Sequence, residues 1–279
     1  MICQVCSKKN IQKIKTIQGV DIFECKNCYL AFLDQRKTLK FDPQNEYNLE
    51  KYKENEAKLR RQFEKITDKI YRYKKRGKVL DIGAGYGLLS SILLKKGYEI
   101  EIIEPISESY YLRGKKIKHY RGTVEKFLSR NKTKYNIILL IDLIEHLKNP
   151  LVVLKKLRMF LNRDGIIVIQ TPNYKSLMAR ICINWSWWMV SDHKFFFSPR
   201  SIRLLVQKAG FSISNLNTFE DIHDFKKNLD GNFTSIKNPF MRKMTKGFMY
   251  TCFFPLYFLF RKIIWVFAYG GLILAYNML

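Results

Sequence analysis

Three glycines and two acidic residues have the types and the spacing of a nucleoside-binding site. Gly83, Gly85 and Gly87 follow an apolar run that contains Asp81, and Glu104 closes a second apolar run. Glycines let the backbone approach a ligand closely, and an acid about 20 residues after the first glycine is placed to bind ribose hydroxyls. These residues therefore predict a site that holds a nucleoside.

The chemistry of the turn indicates which nucleoside binds. The turn reads Gly83-Ala84-Gly85-Tyr86-Gly87, and Leu88 follows where the dinucleotide fingerprint needs its last glycine. Asp81 would repel a pyrophosphate and attract an ammonium. S-adenosylmethionine (SAM) carries an ammonium and no phosphate, so SAM is the expected ligand. The alternative is an ordinary strand-turn-helix unit with incidental glycines.

A βαβ unit must position this turn. Residues 79–82 are an apolar run typical of a strand, and residues 88–95 have helical spacing that ends at Gly97. Residues 98–103 form a second apolar run. The pattern predicts a strand on each side of the helix, with Asp81 and Glu104 near the carboxyl ends of the strands.

Four cysteines near the start have the spacing of a metal site. Cys3 and Cys6 form one CxxC pair, and Cys25 and Cys28 form the other. This spacing lets four thiolates meet tetrahedrally around Zn²⁺, whose closed coordination implies a structural and not a catalytic ion. The segment is too short to fold on an apolar core, so the metal would supply its folding energy. A redox pair or chance remains the alternative.

A second polar group follows the apolar run 136–141. Its continuous branched-chain residues are typical of a buried parallel strand, and the carboxyl end of such a strand opens into the ligand crevice of α/β sheets. The segment that follows reads Asp142-Leu143-Ile144-Glu145-His146-Leu147. By residue type alone, Asp142 would be an N-cap and His146 a residue on a helix surface.

Taken in order, these motifs resemble those of the class I SAM-dependent methyltransferases. The chain is similar in particular to the subgroup with an N-terminal zinc ribbon and a core like that of the ubiquinone-pathway O-methyltransferases, over about residues 1–220. The resemblance implies an α/β fold. It consists of a Rossmann-like seven-stranded methyltransferase sheet with an antiparallel last strand, plus a small zinc ribbon with four cysteine ligands.

The resemblance also implies roles for individual residues. Thr123 and Val124 belong to the loop that packs against adenine, although Thr123 stands where an acid is common and Glu125 is the alternative acid. Asp142 would lie beside the methionine moiety of SAM. His146 would face the transferred methyl group, either as lining or as the proton acceptor.

Aromatic residues beyond position 184 are the candidates for the acceptor pocket. The segment Asn184-Trp185-Ser186-Trp187-Trp188 precedes Asp192-His193-Lys194 and the aromatic run 195–197. In the family, a Trp, a His and an aromatic residue before Ser-Pro lie over the acceptor, which makes His193 the second candidate proton acceptor. Three tryptophans in four residues suggest an apolar lid, and half-buried packing is the alternative.

The remaining patterns divide the chain into five segments. They are 1–35, the zinc ribbon; 36–76, a helical linker or cap; 77–227, the SAM-binding core; 228–268, a basic and apolar insertion; and 269–279, the last strand of the core. Within the core we expect helices at 107–115, 150–160 and 198–210, strands at 117–122, 166–171 and 211–219, and a turn at 162–165.

The carboxyl tail is almost wholly apolar. Arg261 and Lys262 interrupt it, so it lacks the roughly 20 uninterrupted residues of a spanning helix. Bases at 237, 242, 243 and 246 precede an aromatic-rich stretch, a pattern typical of a segment in a bilayer interface. We therefore expect a peripheral membrane contact through residues 237–268. A transmembrane span, packing on the core and a dimer contact are the alternatives.

Charge and cysteine content bound the partners and the compartment. The net charge is +26, from 50 Lys and Arg against 24 Asp and Glu, and the excess is lopsided only in the tail, where residues 226–279 carry eight bases and one acid. A diffuse excess is weak evidence for nucleic acid, which is not the expected partner. Six cysteines, four of them in two CxxC pairs near the start, and the absence of an amino-terminal signal peptide pattern predict a reduced, cytoplasmic protein. With the basic, apolar tail, we expect it to be peripheral at the inner face of the membrane.

The sequence therefore predicts an enzyme that moves a methyl group from SAM to an oxygen, less readily a nitrogen or carbon, of a small or lipid- or saccharide-linked acceptor near the membrane. The enzymatic alternative is a nucleic-acid methyltransferase, which explains the charge but leaves the apolar tail without a role. The non-enzymatic alternative is a membrane-docked zinc-ribbon scaffold. Asp81, Gly83, Gly85 and Glu104 argue against the scaffold, because such a protein has no need of them.

Overall fold

A computed structural model describes residues 1–34, 48–105, 109–130, 132–182, 184–220, 222–233, 236–266 and 270–278. The strands are β1 (Ile11–Ile17), β2 (Val20–Cys25), β3 (Ala31–Leu33), β4 (Lys78–Ile82), β5 (Glu99–Ile103), β6 (Lys118–Tyr120), β7 (Tyr135–Ile141), β8 (Leu161–Pro172), β9 (Phe195–Phe196), β10 (Ser212–Phe219) and β11 (Leu272–Met278).

The helices are α1 (Leu49–Glu54), α2 (Glu56–Tyr73), α3 (Leu88–Lys95), α4 (Val124–Arg130), α5 (Pro150–Arg158), α6 (Leu177–Ile181), α7 (Pro199–Lys208), α8 (Ile222–Phe233), α9 (Pro239–Phe248) and α10 (Phe254–Val266). A 3-10 turn covers Tyr110–Leu112, and a π-helical turn, Met249–Phe253, joins α9 to α10. Within the described ranges, no helix combines the length and the apolar composition needed to cross a membrane.

The larger sheet has seven strands in the order β10-β11-β8-β7-β4-β5-β6. Strand β4 pairs in parallel with β5 and with β7, and β5 pairs in parallel with β6. Apolar residues predominate in β4, β5 and β7 because central parallel strands are covered on both faces. The last strand, β11, lies between β10 and β8, as expected for the last strand of the predicted methyltransferase sheet. The predicted fold is confirmed.

Two predicted elements are wrong. The helix expected at 107–115 is only the turn Tyr110–Leu112 in the described part of that range, whose first two residues lie outside the described chain. The turn expected at 162–165 lies inside β8, where Asp164 is exposed and forms an ion pair with Lys74. Of the predicted linker 36–76, residues 36–47 lie outside the described residues, and the rest forms α1 and α2.

The chain divides into two compact units. One comprises residues 40–169, 206–214 and 276–279, and holds the glycine turn. The other comprises residues 1–39, 170–205 and 215–275, and holds the four cysteines, the tryptophans and the carboxyl-terminal helices. In this second unit β9 extends the ribbon sheet to the order β1-β2-β3-β9, through the pairs Ala31 with Phe196 and Phe32 with Phe195.

One hydrophobic cluster joins the ribbon to the rest of its unit. Ile22 and Leu33 of the ribbon pack in it with Met178, Trp185 and Phe225. The ribbon thus shares a hydrophobic core with α6 and α8.

Candidate functional site

Register brings the predicted SAM-site residues to one edge of the sheet. Ile82, the last residue of β4, pairs with Ile103, the last residue of β5. Ile103 in turn pairs with Tyr120 at the end of β6, and Ile82 pairs with Leu140 near the end of β7. Because these strands are parallel and end together, the loops that follow them meet at the carboxyl edge, where α/β sheets bind ligands.

The glycine turn has a backbone that favours glycine. Gly83, Gly85 and Gly87 have φ of +73°, +54° and +81°. A Cβ at Gly87 would come within 2.7 Å of Leu112, whereas a Cβ at Gly85 would meet nothing within 4 Å. Gly87 is therefore required by packing, while Gly85 leaves open space of the kind that a bound ligand fills.

Glu104 lies against this turn. Its side chain is buried, and Oε2 accepts a hydrogen bond of 2.8 Å from the backbone N–H of Gly85. The backbone N–H of Gly83 donates to Ile103 O at 2.8 Å, and Ala84 N–H donates to the same carbonyl at 3.5 Å. These bonds fix the Glu104 carboxylate beside the glycine loop, in the position expected of an acid that binds ribose hydroxyls.

Asp81 is a buried carboxyl group. Its Oδ2 accepts a hydrogen bond of 2.7 Å from Ser90 Oγ on α3. Burial raises the pKa of Asp81 to about 6, a shift that the Ser90 hydrogen bond opposes and the charge of Glu104 reinforces. A carboxyl group in this state would be ionised more fully by a neighbouring ammonium, because an opposite charge lowers its pKa.

Asp142 carries backbone strain at the end of the central strand β7. Its φ of +51° lies in the left-handed region, which costs about 1 kcal/mol or more for a residue with a side chain. Such strain persists where the surrounding structure imposes it, and it clusters at functional sites. The sequence indicated the carboxylate but not the strain.

The two residues of the predicted adenine loop differ in exposure. Thr123 is exposed, whereas Val124 is buried at the first position of α4. Glu125, the alternative acid, is also exposed in the first turn of that helix. Gly122 lies close to Tyr120, whose ring would meet a Cβ at Gly122 at 2.7 Å. This loop follows β6 and therefore reaches the same edge of the sheet as Glu104.

The two candidate proton acceptors belong to different units. His146 follows β7 and is half-buried, and its backbone N–H donates to Leu143 O at 3.0 Å. His193 is buried in the other unit, where its ring lies 6.4 Å from that of Trp187 in a stacked arrangement. Trp185 and Trp188 meet edge to face at 5.2 Å within the hydrophobic cluster. Trp185 and Trp188 therefore pack in this cluster, which was the alternative to an apolar lid.

Tyr52 of α1 is a residue that the sequence did not indicate as part of the site. Its ring meets that of Tyr86, inside the glycine turn, at 4.8 Å and that of Tyr111 at 6.1 Å. Burial raises the pKa of Tyr52, and the nearby phenol of Tyr111 and the charge of Asp81 raise it further. The sequence indicated only that Tyr52 lies in a helical linker or cap, since nothing local links position 52 to position 86.

The four ribbon cysteines converge as their spacing predicts. Their sulfur atoms all lie within 4.8 Å of one another, with Cys3 Sγ 3.5 Å from Cys28 Sγ and Cys6 Sγ 3.3 Å from Cys25 Sγ. All four are free thiols, and three of them are buried. Four inward-facing sulfurs at such distances fit tetrahedral Zn²⁺, with Zn–S bonds of about 2.3 Å.

Two turns of the ribbon have a left-handed backbone conformation at residues other than glycine. Ser7 and Tyr29, which follow the two knuckles, have φ of +61° and +54°. The N–H of Ser7 still donates to Cys3 O at 2.9 Å, and that of Tyr29 donates to Cys25 O at 2.8 Å. The knuckles are therefore closed, although neither is followed by the glycine that such a backbone favours.

Comparison with known proteins identifies the family. A family model described as a methyltransferase domain matches residues 47–216. A ubiquinone biosynthesis O-methyltransferase of Rickettsia canadensis is 26% identical over 188 residues, which cover 62% of this chain and 78% of that protein. The protein of the same name from Aliivibrio fischeri is 24% identical over 175 residues, 56% of this chain and 75% of that one.

Solved structures show the same fold. A SAM-dependent methyltransferase from Archaeoglobus fulgidus aligns with a TM-score of 0.52 at 17% identity, over 78% of this chain and 94% of that one. The 1,6-didemethyltoxoflavin-N1-methyltransferase of Burkholderia thailandensis, solved with S-adenosylhomocysteine, aligns with a TM-score of 0.52 at 11% identity, over 96% and 98%. At such identities the likeness concerns the fold and not the acceptor.

Proposed function

The chain belongs to the methyltransferase-domain family and is a SAM-dependent methyltransferase, and on this premise we propose that it methylates an oxygen of a small acceptor, free or linked to a lipid or saccharide, near a membrane. The observation that carries the proposal is the shared edge of the sheet. There the Gly85 N–H binds the Glu104 carboxylate, and Asp81 and Asp142 lie at the ends of neighbouring strands.

Each of these residues has a proposed task. When bound, SAM supplies a methyl group on a positively charged sulfur. Glu104 would bind its ribose hydroxyls, Asp81 and Asp142 its methionine moiety, and the loop at Thr123 and Val124 its adenine. The chain then has to hold the acceptor in line with the methyl group and exclude water, which a preformed crevice does without further chemistry.

The acceptor atom determines the need for a base. A hydroxyl acceptor loses its proton as its oxygen becomes methylated, and an imidazole titrates in the right range to take that proton. We assign this role to His146 or His193. The similarity to proteins named ubiquinone biosynthesis O-methyltransferases supports oxygen over nitrogen or carbon.

We propose a structural Zn²⁺ at Cys3, Cys6, Cys25 and Cys28. The convergence of four thiols without an open position supports this role, because catalytic zinc keeps one coordination site for water or substrate. We further propose that the protein is cytoplasmic and peripheral at the inner face of the cell membrane. The apolar and basic helices at the carboxyl end support that location.

A labelling experiment tests the proposed reaction. Purified protein is incubated with methyl-labelled SAM and an extract of its own cells, and the products are separated into organic, aqueous and nucleic-acid fractions. Label in the organic fraction, absent with Asp81→Asn, is the expected result, and alkaline hydrolysis then separates esters from ethers. Label in the aqueous fraction would contradict the lipid link, and label in nucleic acid would overturn the proposal in favour of a nucleic-acid methyltransferase.

A further inference from the structure

Two neighbouring helices expose apolar side chains that a globular domain normally buries. No residue of α9 is buried, although its apolar and basic residues are segregated around the helix. On α10, Tyr257 packs inward while the opposite side is exposed. The exposed apolar side chains form an outer apolar face. It consists of Phe240, Met241, Met244 and Phe248 on α9 and Leu256, Leu259, Phe260 and Ile263 on α10.

The exposure of this face is large. Leu259 is 73% exposed, and even Phe260, the least exposed residue of the face, is 48% exposed. On α9 the apolar residues are spaced i, i+1, i+4 and i+8, and on α10 they are spaced i, i+3, i+4 and i+7. Each set therefore forms one stripe along its helix. Stripes of this size mark a binding surface, because scattered apolar side chains do not align in this way.

The charges around the face identify the partner. Residues 237–266 contain six Lys or Arg and no Asp or Glu. On α9 the bases at 242, 243 and 246 lie on the side of the helix opposite its apolar stripe, as the helical repeat of about 100° per residue requires. An anionic lipid surface attracts such a basic segment without acidic residues, whereas a second copy of this chain offers no opposite charge on these two helices.

We infer that the outer apolar face inserts into the interface of an anionic membrane, with α9 and α10 lying along the surface. In such helices the apolar side enters the boundary between headgroups and acyl chains, and the bases remain among the anionic headgroups. The inference deepens the proposed function and rests on it for the biological purpose, which is to hold the enzyme beside a lipid-linked acceptor. The docking itself requires neither SAM nor acceptor.

Vesicle flotation tests this surface with the full chain. The protein is mixed with vesicles of phosphatidylcholine alone or of phosphatidylcholine with phosphatidylglycerol, in the absence of SAM. We expect binding to the anionic vesicles and much weaker binding to the neutral ones. A triple variant, Leu256→Ser with Leu259→Ser and Ile263→Ser, should bind about tenfold more weakly or worse. Lys243→Ala should bind about fivefold more weakly.

Matched controls separate docking from general effects. Val152→Ser with Met159→Ser removes exposed apolar side chains elsewhere in the chain, and Lys148→Ala removes an exposed base. Both controls should bind the vesicles like the wild type. SAM binding by the triple variant, measured by calorimetry, should be unchanged, so a failure of docking is distinct from a failure of the proposed reaction.

Three outcomes would overturn the inference. The wild type could fail to float with anionic vesicles, or the triple variant could float as well as the wild type. Light scattering could instead show a dimer that the triple variant dissociates, which would make the face a contact between two copies.

Discussion

The rings of Tyr52 and Tyr86 meet edge to face with their centroids 4.8 Å apart. This contact joins α1 to the glycine turn within one compact unit. A second link runs from α2, where Glu56 Oε2 accepts a hydrogen bond of 2.7 Å from Tyr111 Oη, and the Tyr111 N–H donates to Tyr86 O at 3.0 Å. The helical segment before the core therefore braces the loop that we assign to SAM.

The first prediction concerns Tyr52. Tyr52→Ala should weaken SAM binding about tenfold, because it removes an aromatic contact with the loop and opens the site to water. Tyr52→Phe keeps the ring and should retain most of the affinity. Tyr71→Ala, which removes an exposed ring from α2, is the control, and calorimetric titration with SAM is the measurement. Wild-type affinity in Tyr52→Ala would show that the brace has no part in binding.

The second prediction uses two glycines with similar backbones. Gly85 and Gly97 both have positive φ, and a Cβ at either would meet nothing within 4 Å. Gly85→Ala and Gly97→Ala should each cost about 1 kcal/mol of unfolding free energy, owing to the backbone strain alone. Only Gly85→Ala should lose SAM affinity, because its methyl group would enter the space assigned to the ligand. Equal affinities in the two variants would contradict that assignment.

The third prediction concerns pH. The pKa of Asp81 is raised to about 6 in the fold, so the folded state binds this proton more tightly than the unfolded state does. The protein without ligand should therefore lose stability as pH rises from about 4 to above 6, by up to about 3 kcal/mol. Asp81→Asn should not show this loss of stability. Denaturant unfolding of the wild type and the variant across that pH range therefore separates the contribution of Asp81 from that of the other carboxylates.

Ionisation of Asp81 should favour SAM binding, although it lowers the stability of the protein without ligand. Ionised Asp81 attracts an ammonium, so SAM affinity should rise as pH increases through about 6, and Asp81→Asn should abolish that rise. If the SAM affinities of the wild type and of Asp81→Asn changed with pH in the same way, the ammonium of SAM would not lie beside Asp81.

Local patterns were sufficient for the core of the fold. Strand β7 contains a continuous run of branched-chain residues, the apolar residues of β4 and β5 are buried, and α3 has the bounds that its spacing predicts. The glycine turn with Asp81 and Glu104, and the four cysteines, were visible because their chemistry requires fixed spacing along the chain.

Contacts between distant parts of the chain produced the differences. The helix expected at 107–115 gives way to a short turn whose Leu112 packs against Gly87. The segment 162–165 has turn-forming residues, yet it extends a strand of the sheet. Neither the pairing of β9 with β3 nor the contact of Tyr52 with Tyr86 leaves a local pattern, because each depends on residues far apart in sequence.

The fourth prediction concerns the metal. Tyr29 O, next to Cys28, accepts hydrogen bonds from Tyr174 Oη at 3.0 Å and from Ser198 Oγ at 2.7 Å. Buried Glu24, next to Cys25, shares the single hydrogen of that phenol, with its Oε2 2.9 Å from Tyr174 Oη. The knuckle therefore anchors the segments that flank the tryptophans, so the loss of zinc should propagate into their core.

Chelation of the metal, or Cys28→Ser, should lower the unfolding free energy by on the order of 4 kcal/mol or more and shift tryptophan emission to longer wavelength, as Trp185 becomes exposed. Cys252→Ser alters an exposed thiol and is the matched control, with wild-type emission and stability expected. Elemental analysis should find one zinc per chain in the wild type and in the control. Unchanged emission after complete removal of the metal would mean that the ribbon does not support the tryptophan core, and protein purified without any metal would exclude the zinc itself.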